Sequence, residues 1–265
     1  MASEEAGGSL VMRGPYDEGH RSVSGLPEPV TPVSPHRLRA VLFSQVWRDL
    51  TFLHWPVEPA VVAPLLPPGT RPDCRAGRTY VGLVPFRMTR VGVLGSPPVP
   101  YFGDFLETNV RLYSVDRDGH RGVVFRSLDT ARLIPVLAAR FGLGVPYRWS
   151  RMLLERDGDV IGYRSRHRRS AAAAEVVVRV GEPVRQNGLD RFLTDRWALH
   201  TRFAGRTWRI PNVHPRWTFR SVEVISMHED LIASAGLPVP EVAPVSALYS
   251  AGVPVHFGVP EPVGA

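Results

Sequence analysis

Residues 105–113 read Phe-Leu-Glu-Thr-Asn-Val-Arg-Leu-Tyr, and three of the polar side chains there could act on one ligand. Side chains alternate faces along a strand, so Phe105, Glu107, Asn109, Arg111 and Tyr113 share one face. Leu106, Thr108, Val110 and Leu112 take the other. In a closed sheet the second set packs beneath its neighbours, and the first lines the interior with a carboxyl, an amide and a guanidinium in a row. Buried ionisable groups persist only with partners. One reading is therefore a structural Glu107–Arg111 ion pair. The other has Arg111 clamping a substrate carboxylate, Asn109 bonding its carbonyl, and Glu107 moving a proton at a raised pKa. Tyr113 and Ser127 complete the candidate binding set. Enolisation, dehydration or hydrolysis of a small organic acid suits these groups.

Other constellations carry less. Ser127 and Asp129 sit two apart on one face, yet His54, His214 and His256 are all distant in sequence and no Gly-x-Ser-x-Gly elbow exists. Asp129 reads instead as the N-cap of a helix starting near Ala131. His228-Glu229-Asp230 lacks a second histidine one turn on, so no zinc helix is expected. His200 and His214 could converge, but no spacing signals a metal, and His214 beside Trp217 reads as a packed core histidine. Arg164, Arg166 and Arg168 share a strand face without interleaved aromatics, which reads as a solvated edge rather than a nucleic-acid surface. Cys74, the only cysteine, reads as a bystander thiol that rules out an internal disulfide. No cofactor or metal is expected.

The elements that would position these groups are mostly strands. Asp116-Arg117-Asp118-Gly119 and Arg156-Asp157-Gly158-Asp159 are turn signals inside two hairpins. Further strands are expected at Tyr80–Phe86, Glu175–Val180, Arg206–Val213 and Trp217–Ile225. Helical spacing appears at 60–66, 131–141, 189–196 and 228–235 only. Many strands with isolated helices predict an α+β, β-rich chain built on a closed, curved antiparallel sheet with a few peripheral helices. Residues 1–39, rich in Gly, Ser, Pro and Glu, read as a disordered leader. One domain is expected over 40–258, with a flexible tail at 259–265.

Composition limits the rest. The 265 residues are 44% apolar, enough for a core. Lys and Arg total 32 against 25 acids, and every cation is arginine because the chain has no lysine. The net charge of +7 fits either a polyanion partner or the codon bias of a GC-rich genome; its even spread favours the second. No apolar run approaches a membrane span and the N-terminus lacks signal-peptide features, so a cytoplasmic chain is expected. Nothing in these patterns specifies oligomeric state, and a homo-oligomer is compatible with all of them.

Several stretches also match a known pattern. They are Leu83-Val84-Pro85-Phe86-Arg87-Met88, the 105–113 run, Val123-Val124-Phe125-Arg126-Ser127-Leu128-Asp129, Val213-His214-Pro215-Arg216-Trp217 and Tyr249-Ser250-Ala251-Gly252-Val253. Together they resemble the YqjF-like family (domain of unknown function 2071) over about residues 41–257. That family is grouped by fold with acetoacetate decarboxylase, so the resemblance implies a curved barrel around a small cavity. It does not imply the activity. The decarboxylase forms an imine through a lysine amine, and a lysine-free chain cannot; arginine stays protonated and cannot substitute. Three positions depart from the family, Arg126 where Phe is usual, Thr130 where Ala is usual and Arg216 where Pro is commoner, and the two arginines each add a cation. The chain therefore reads as a cavity-bearing protein that binds or transforms a small organic acid without Schiff-base chemistry. The alternative is a non-catalytic small-molecule-binding or sensor module.

Overall fold

A computed structural model describes residues 25–94, 103–131, 144 and 146–264. The helix expected at 131–141 lies outside them, apart from Ala131. Thirteen strands form one continuous sheet in the order β13-β10-β9-β5-β6-β7-β8-β11-β12-β1-β3-β4-β2, with extra pairings β10–β12 and β5–β4. These strands are β1 Val41–Val57, β2 Thr70–Pro72, β3 Thr79–Val93, β4 Phe105–Asp116, β5 Arg121–Thr130, β6 Tyr147–Asp157, β7 Val160–His167, β8 Ala173–Val184, β9 Ala198–Phe203, β10 Arg206–Val213, β11 Phe219–Glu229, β12 Ser246–Gly258 and β13 Glu261–Pro262. Among the described residues the α-helices are short: α1 Pro59–Val62, α2 Gly188–Thr194 and α3 Leu231–Ser234. None is long and apolar enough to cross a membrane.

The two extra pairings close the sheet twice. Strands β5, β6, β7, β8, β11, β12, β1, β3 and β4 form a nine-strand ring. Strands β12, β10, β9, β5, β4, β3 and β1 form a second ring of seven. The two share the wall β12-β1-β3-β4-β5, so that wall is covered on both faces. Strand β4 records this directly: every residue from Phe105 to Asp116 except Leu106 is buried. On its first face Val110 and Leu112 join Leu53, Leu83, Ile161 and Val178 in the core of the nine-strand ring. On its second face Phe105 joins Phe52, Phe86, Trp217 and Phe219 in a separate aromatic cluster.

Both turn signals close hairpins as expected, β4–β5 and β6–β7. Most pairings are antiparallel, but β5 runs parallel to β6 and to β9. Strand β1 is long enough to serve both rings only because it bends. Asp49 adopts φ 50°, and register with β3 shifts between Arg48 and Leu53. Across from it Gly252 has φ 128°, and a Cβ there would lie 2.0 Å from the Trp47 carbonyl oxygen. Only glycine tolerates that approach.

Four expectations change. Residues 228–235 split: His228 and Glu229 end β11, and the helix keeps only Leu231–Ser234. β7 lies between β6 and β8 and is not an edge; Arg164 there bridges Glu155 and Glu175 at the surface. Within 259–265, Glu261 and Pro262 pair with β10. Residues 25–40 carry no helix or strand yet pack on the barrel. The Glu28 carboxylate accepts the Arg121 backbone N–H at 2.9 Å, and the Thr31 carbonyl accepts Trp197 Nε1–H at 3.0 Å.

Candidate functional site

The seven-strand ring encloses a cavity of about 420 Å³. Its walls are mainly aromatic and aliphatic, with Trp47, Phe52, Phe86, Phe105, Phe125, Trp217 and Phe257 among them. The β3–β4 register orders it in levels: Gly82 beside Arg111, Val84 beside Asn109, Phe86 beside Glu107, Met88 beside Phe105. Arg111, Asn109 and Glu107 thus line one wall in single file.

Arg111 is only 8% exposed. Its Nε donates to the Tyr113 hydroxyl at 3.1 Å and its Nη2 to the Leu193 carbonyl at 3.1 Å. That carbonyl lies in the last turn of α2, where helix carbonyls have no intrahelical donor. Three successive orphans are met this way, Phe192 by Arg196, Leu193 by Arg111 and Thr194 by Trp217. A capping box between Asn187 and Asp190 fixes the other end of α2. Arg111 also packs over the Phe52 and Tyr113 rings, and its Nη2 lies 3.5 Å from His54 Nε2. Burial, and then Arg111 and Arg196, hold His54 well below the ordinary imidazole range, so it is neutral. A Cβ on Gly82 would lie 3.0 Å from His54 and 3.2 Å from the Arg111 side chain. Glycine leaves room for both.

Among the described residues, no carboxylate pairs with Arg111. The nearby Arg196 differs: together with Arg121 it is bound by the buried Asp73 carboxylate.

Glu107 is 3% exposed, and the Tyr147 hydroxyl donates to its Oε2 at 3.1 Å. Burial pushes its carboxyl up to about 8; the Tyr147 bond opposes the rise and Asp129 adds to it. At neutral pH Glu107 is a protonated acid and a proton donor. The Glu107–Arg111 ion pair does not form. Four residues on a strand separate Cα atoms by about 13 Å, whereas on a helix the same spacing makes neighbours. Arg111 also leans toward Tyr113, the direction away from Glu107.

Asn109 lines the cavity with no partner for its Oδ1, and Asn212 Oδ1 and Trp47 Nε1 are likewise buried and unpartnered. His214 lies between Trp197 and Trp217, ring centroids 4.4 and 4.6 Å away. Its Nδ1–H donates to the Pro215 carbonyl at 2.7 Å, which leaves Nε2 as the acceptor. Burial pulls this ring down to about 4, against the effect of that bond. It is the packed histidine read from the sequence, and it also lines the cavity.

Two sequence assignments move. Tyr113 does not line the cavity and instead supports Arg111. Ser127 is fully buried on the opposite face of the wall, paired in register with Val110, and donates to Asp129 Oδ1 at 2.9 Å. Asp129 lies within β5, and its oxygens are taken by Ser127, Ser150, Ser165 and His167; the helix it is expected to cap lies outside the described residues. The added cation Arg126 occupies a bulge in β5 and faces out, donating to the carbonyls of Leu65 and Ala235. Arg216, the other added cation, is exposed and does not line the cavity.

Sequence reasoning missed Tyr147, Asn212, Arg196 and His54 as neighbours of the site, since they come from four separate elements. One group spaced for a cation, Asp116, Asp118 and His120, sits at the β4–β5 turn. Asp116 Oδ1 there already accepts the backbone N–H groups of Asp118 and His120.

Residues 44–254 match the model of DUF2071, described as an uncharacterized conserved protein. The chain belongs to the DUF2071 family. A curated relative, the uncharacterized protein YqjF of Bacillus subtilis strain 168, is 29% identical over 208 residues, covering 77% of this chain and 86% of that protein. Among solved structures, the enduracididine biosynthesis enzyme MppR complexed with pyruvate superposes with TM-score 0.64 at 12% identity, covering 87% of this chain and 93% of that one. An acetoacetate decarboxylase-like enzyme from Sphingomonas wittichii RW1 gives 0.59 at 13%, with coverage of 91% and 100%. Acetoacetate decarboxylase from Legionella pneumophila gives 0.58 at 14%, with coverage of 97% and 98%. At these identities the likeness is one of fold. This DUF2071 chain therefore has the acetoacetate decarboxylase-like barrel, and it lacks the lysine that imine chemistry needs.

Proposed function

We propose that this DUF2071 chain is a soluble, cytoplasmic protein that binds a small organic acid in the seven-strand ring, with Arg111 taking the carboxylate. One observation carries the reading. Among the described residues, a buried guanidinium lines an apolar cavity with only neutral hydrogen-bond partners. A charge in such a place is costly unless an anion joins it. Its planar donors suit a carboxylate, and Tyr113 and the end of α2 already hold it in position. Further along the cavity the Trp47 N–H is left to donate, and the Asn109 and Asn212 Oδ1 atoms are left to accept from a ligand hydroxyl. That MppR, a protein of the same fold, is complexed with pyruvate supports the choice of ligand class.

If the bound acid is transformed, Glu107 is the proton donor and the chemistry is proton transfer, because no lysine is present to form an imine. The alternative is a carrier or sensor with the same cavity. Its expectation of a self-contained Glu107–Arg111 pair fails in the geometry, while its expectation of a mostly apolar cavity holds. A thermal-shift panel of keto, hydroxy and simple carboxylic acids tests the binding claim. Stabilisation by acids that Arg111→Met abolishes is the expected result. A panel with no stabilising acid would remove the reading.

A further inference from the structure

The cavity says more about its ligand than the presence of a carboxylate. Its 420 Å³ falls in the range of about 300–1,000 Å³ typical of pockets for drug-sized molecules. A three-carbon acid held at Arg111 would leave most of that volume empty. The cations Arg111 and Arg196 stand at one end of the cavity, while Gln45, Trp47 and Asn212 line it toward the other. Arg111 stands at the Gly82 level, and the wall then passes Val84 and Phe86 to Met88 and Phe105. Beyond them β1 and β3 bring Phe43 opposite Val93, which is 38% exposed. The charged end is thus deep and the aromatic end leads outward.

Glu107 lies about 13 Å along the strand from Arg111, and the Arg111 guanidinium is held toward Tyr113 and Leu193. Nothing short reaches both groups.

We infer, resting on the reading of Arg111 as the carboxylate anchor, that the ligand is an elongated amphipathic monocarboxylate. Its carboxylate sits deep on Arg111. Its apolar body runs past Asn109 and Glu107 into the space walled by Trp47, Phe86 and Phe105. An extended chain advances about 3.3–3.6 Å for every three bonds, so spanning the distance from Arg111 to Glu107 takes roughly eleven bonds. The Glu107 proton then faces the chain roughly eleven bonds from the carboxylate. Any proton transfer by Glu107 would occur there and not at the carbon next to the acid group.

Titration calorimetry of the full-length protein with straight-chain alkanoates from acetate to dodecanoate, each below its micellar concentration, tests this. Each methylene is expected to tighten binding about fourfold across the series, from about 0.8 kcal/mol per buried CH₂, since the chain reaches the level of Glu107 only at roughly twelve carbons. Alkanols of matched length, measured on the same wild-type protein, are expected to bind at least tenfold more weakly. Arg111→Met should erase that difference. If acetate binds as tightly as decanoate, the elongated ligand is wrong while the Arg111 anchor stands. Alkanols equalling alkanoates on wild-type protein would overturn the anchor. Absence of binding by either series overturns both.

Discussion

Two buried polar groups sit on opposite faces of the same β4–β5 wall, and they are equipped in opposite ways. On the nine-strand side Asp129 is fully buried, and four side chains point their donors at it: Ser127, Ser150, Ser165 and His167. On the seven-strand side Arg111 has a hydroxyl, a backbone carbonyl and a distant imidazole, and no anion among the described residues. A saturated buried charge holds strands together; its partners leave nothing for a ligand. An under-partnered one beside a cavity is where a ligand adds something the protein lacks. Chain order gives no hint of this difference, because Ser127 and Arg111 are equally polar and lie on adjacent strands.

The contrast breaks most visibly at Asp129. Asp129→Ala strands three hydroxyls and an imidazole in the core, and should cost about 3–5 kcal/mol in urea unfolding. Arg111→Met replaces a guanidinium by a side chain of similar length in an apolar wall. Its unfolding free energy should stay within about 1 kcal/mol of wild type while acid binding falls by about 10- to 100-fold. If the two variants swap these behaviours, the division of labour is reversed.

Glu107 sharpens the comparison through pH. Its folded value of about 8 stands above the ordinary 4.5, so between those values the folded state holds the extra proton. Its contribution to stability is therefore fully present below pH 4.5 and is lost as pH rises toward 8, by up to about 1.4 kcal/mol per unit. Above pH 8 the loss levels off. Glu107→Gln should flatten this slope in urea midpoints measured from pH 5 to 9. Acid binding should also weaken above about pH 8, where an ionised Glu107 would share the cavity with the ligand's charge. A slope that persists in Glu107→Gln would assign it to another group. The smallest effect is at Gly82. Gly82→Ala pushes on His54 and Arg111 at once; it should cost about 1 kcal/mol and loosen acid binding without unfolding the barrel.

Much of this architecture was legible in the sequence because it follows from local rules. Alternation in 105–113 put Glu107, Asn109 and Arg111 on one face, and the Asp-Gly turns placed two hairpins. What escaped depends on closure. A wall shared by two rings is buried on both faces, so polarity alone could not tell the cavity face from the core face. Ser127 was accordingly given to the ligand when it serves Asp129. The ion pair failed on rise per residue, since four strand residues are about 13 Å apart. His167 reached Asp129 from a run of arginines that looked purely solvated, and Tyr147, His54 and Asn212 reached the site from strands whose pairing only the closed sheet defines.

The most direct test of the anchor is a crystal structure of the protein soaked with dodecanoate. The account requires the carboxylate within hydrogen-bonding distance of the Arg111 guanidinium and the chain directed along β4 toward Glu107. A carboxylate at the outer end with the tail packed against Arg111, or an empty cavity under saturating ligand, would contradict it.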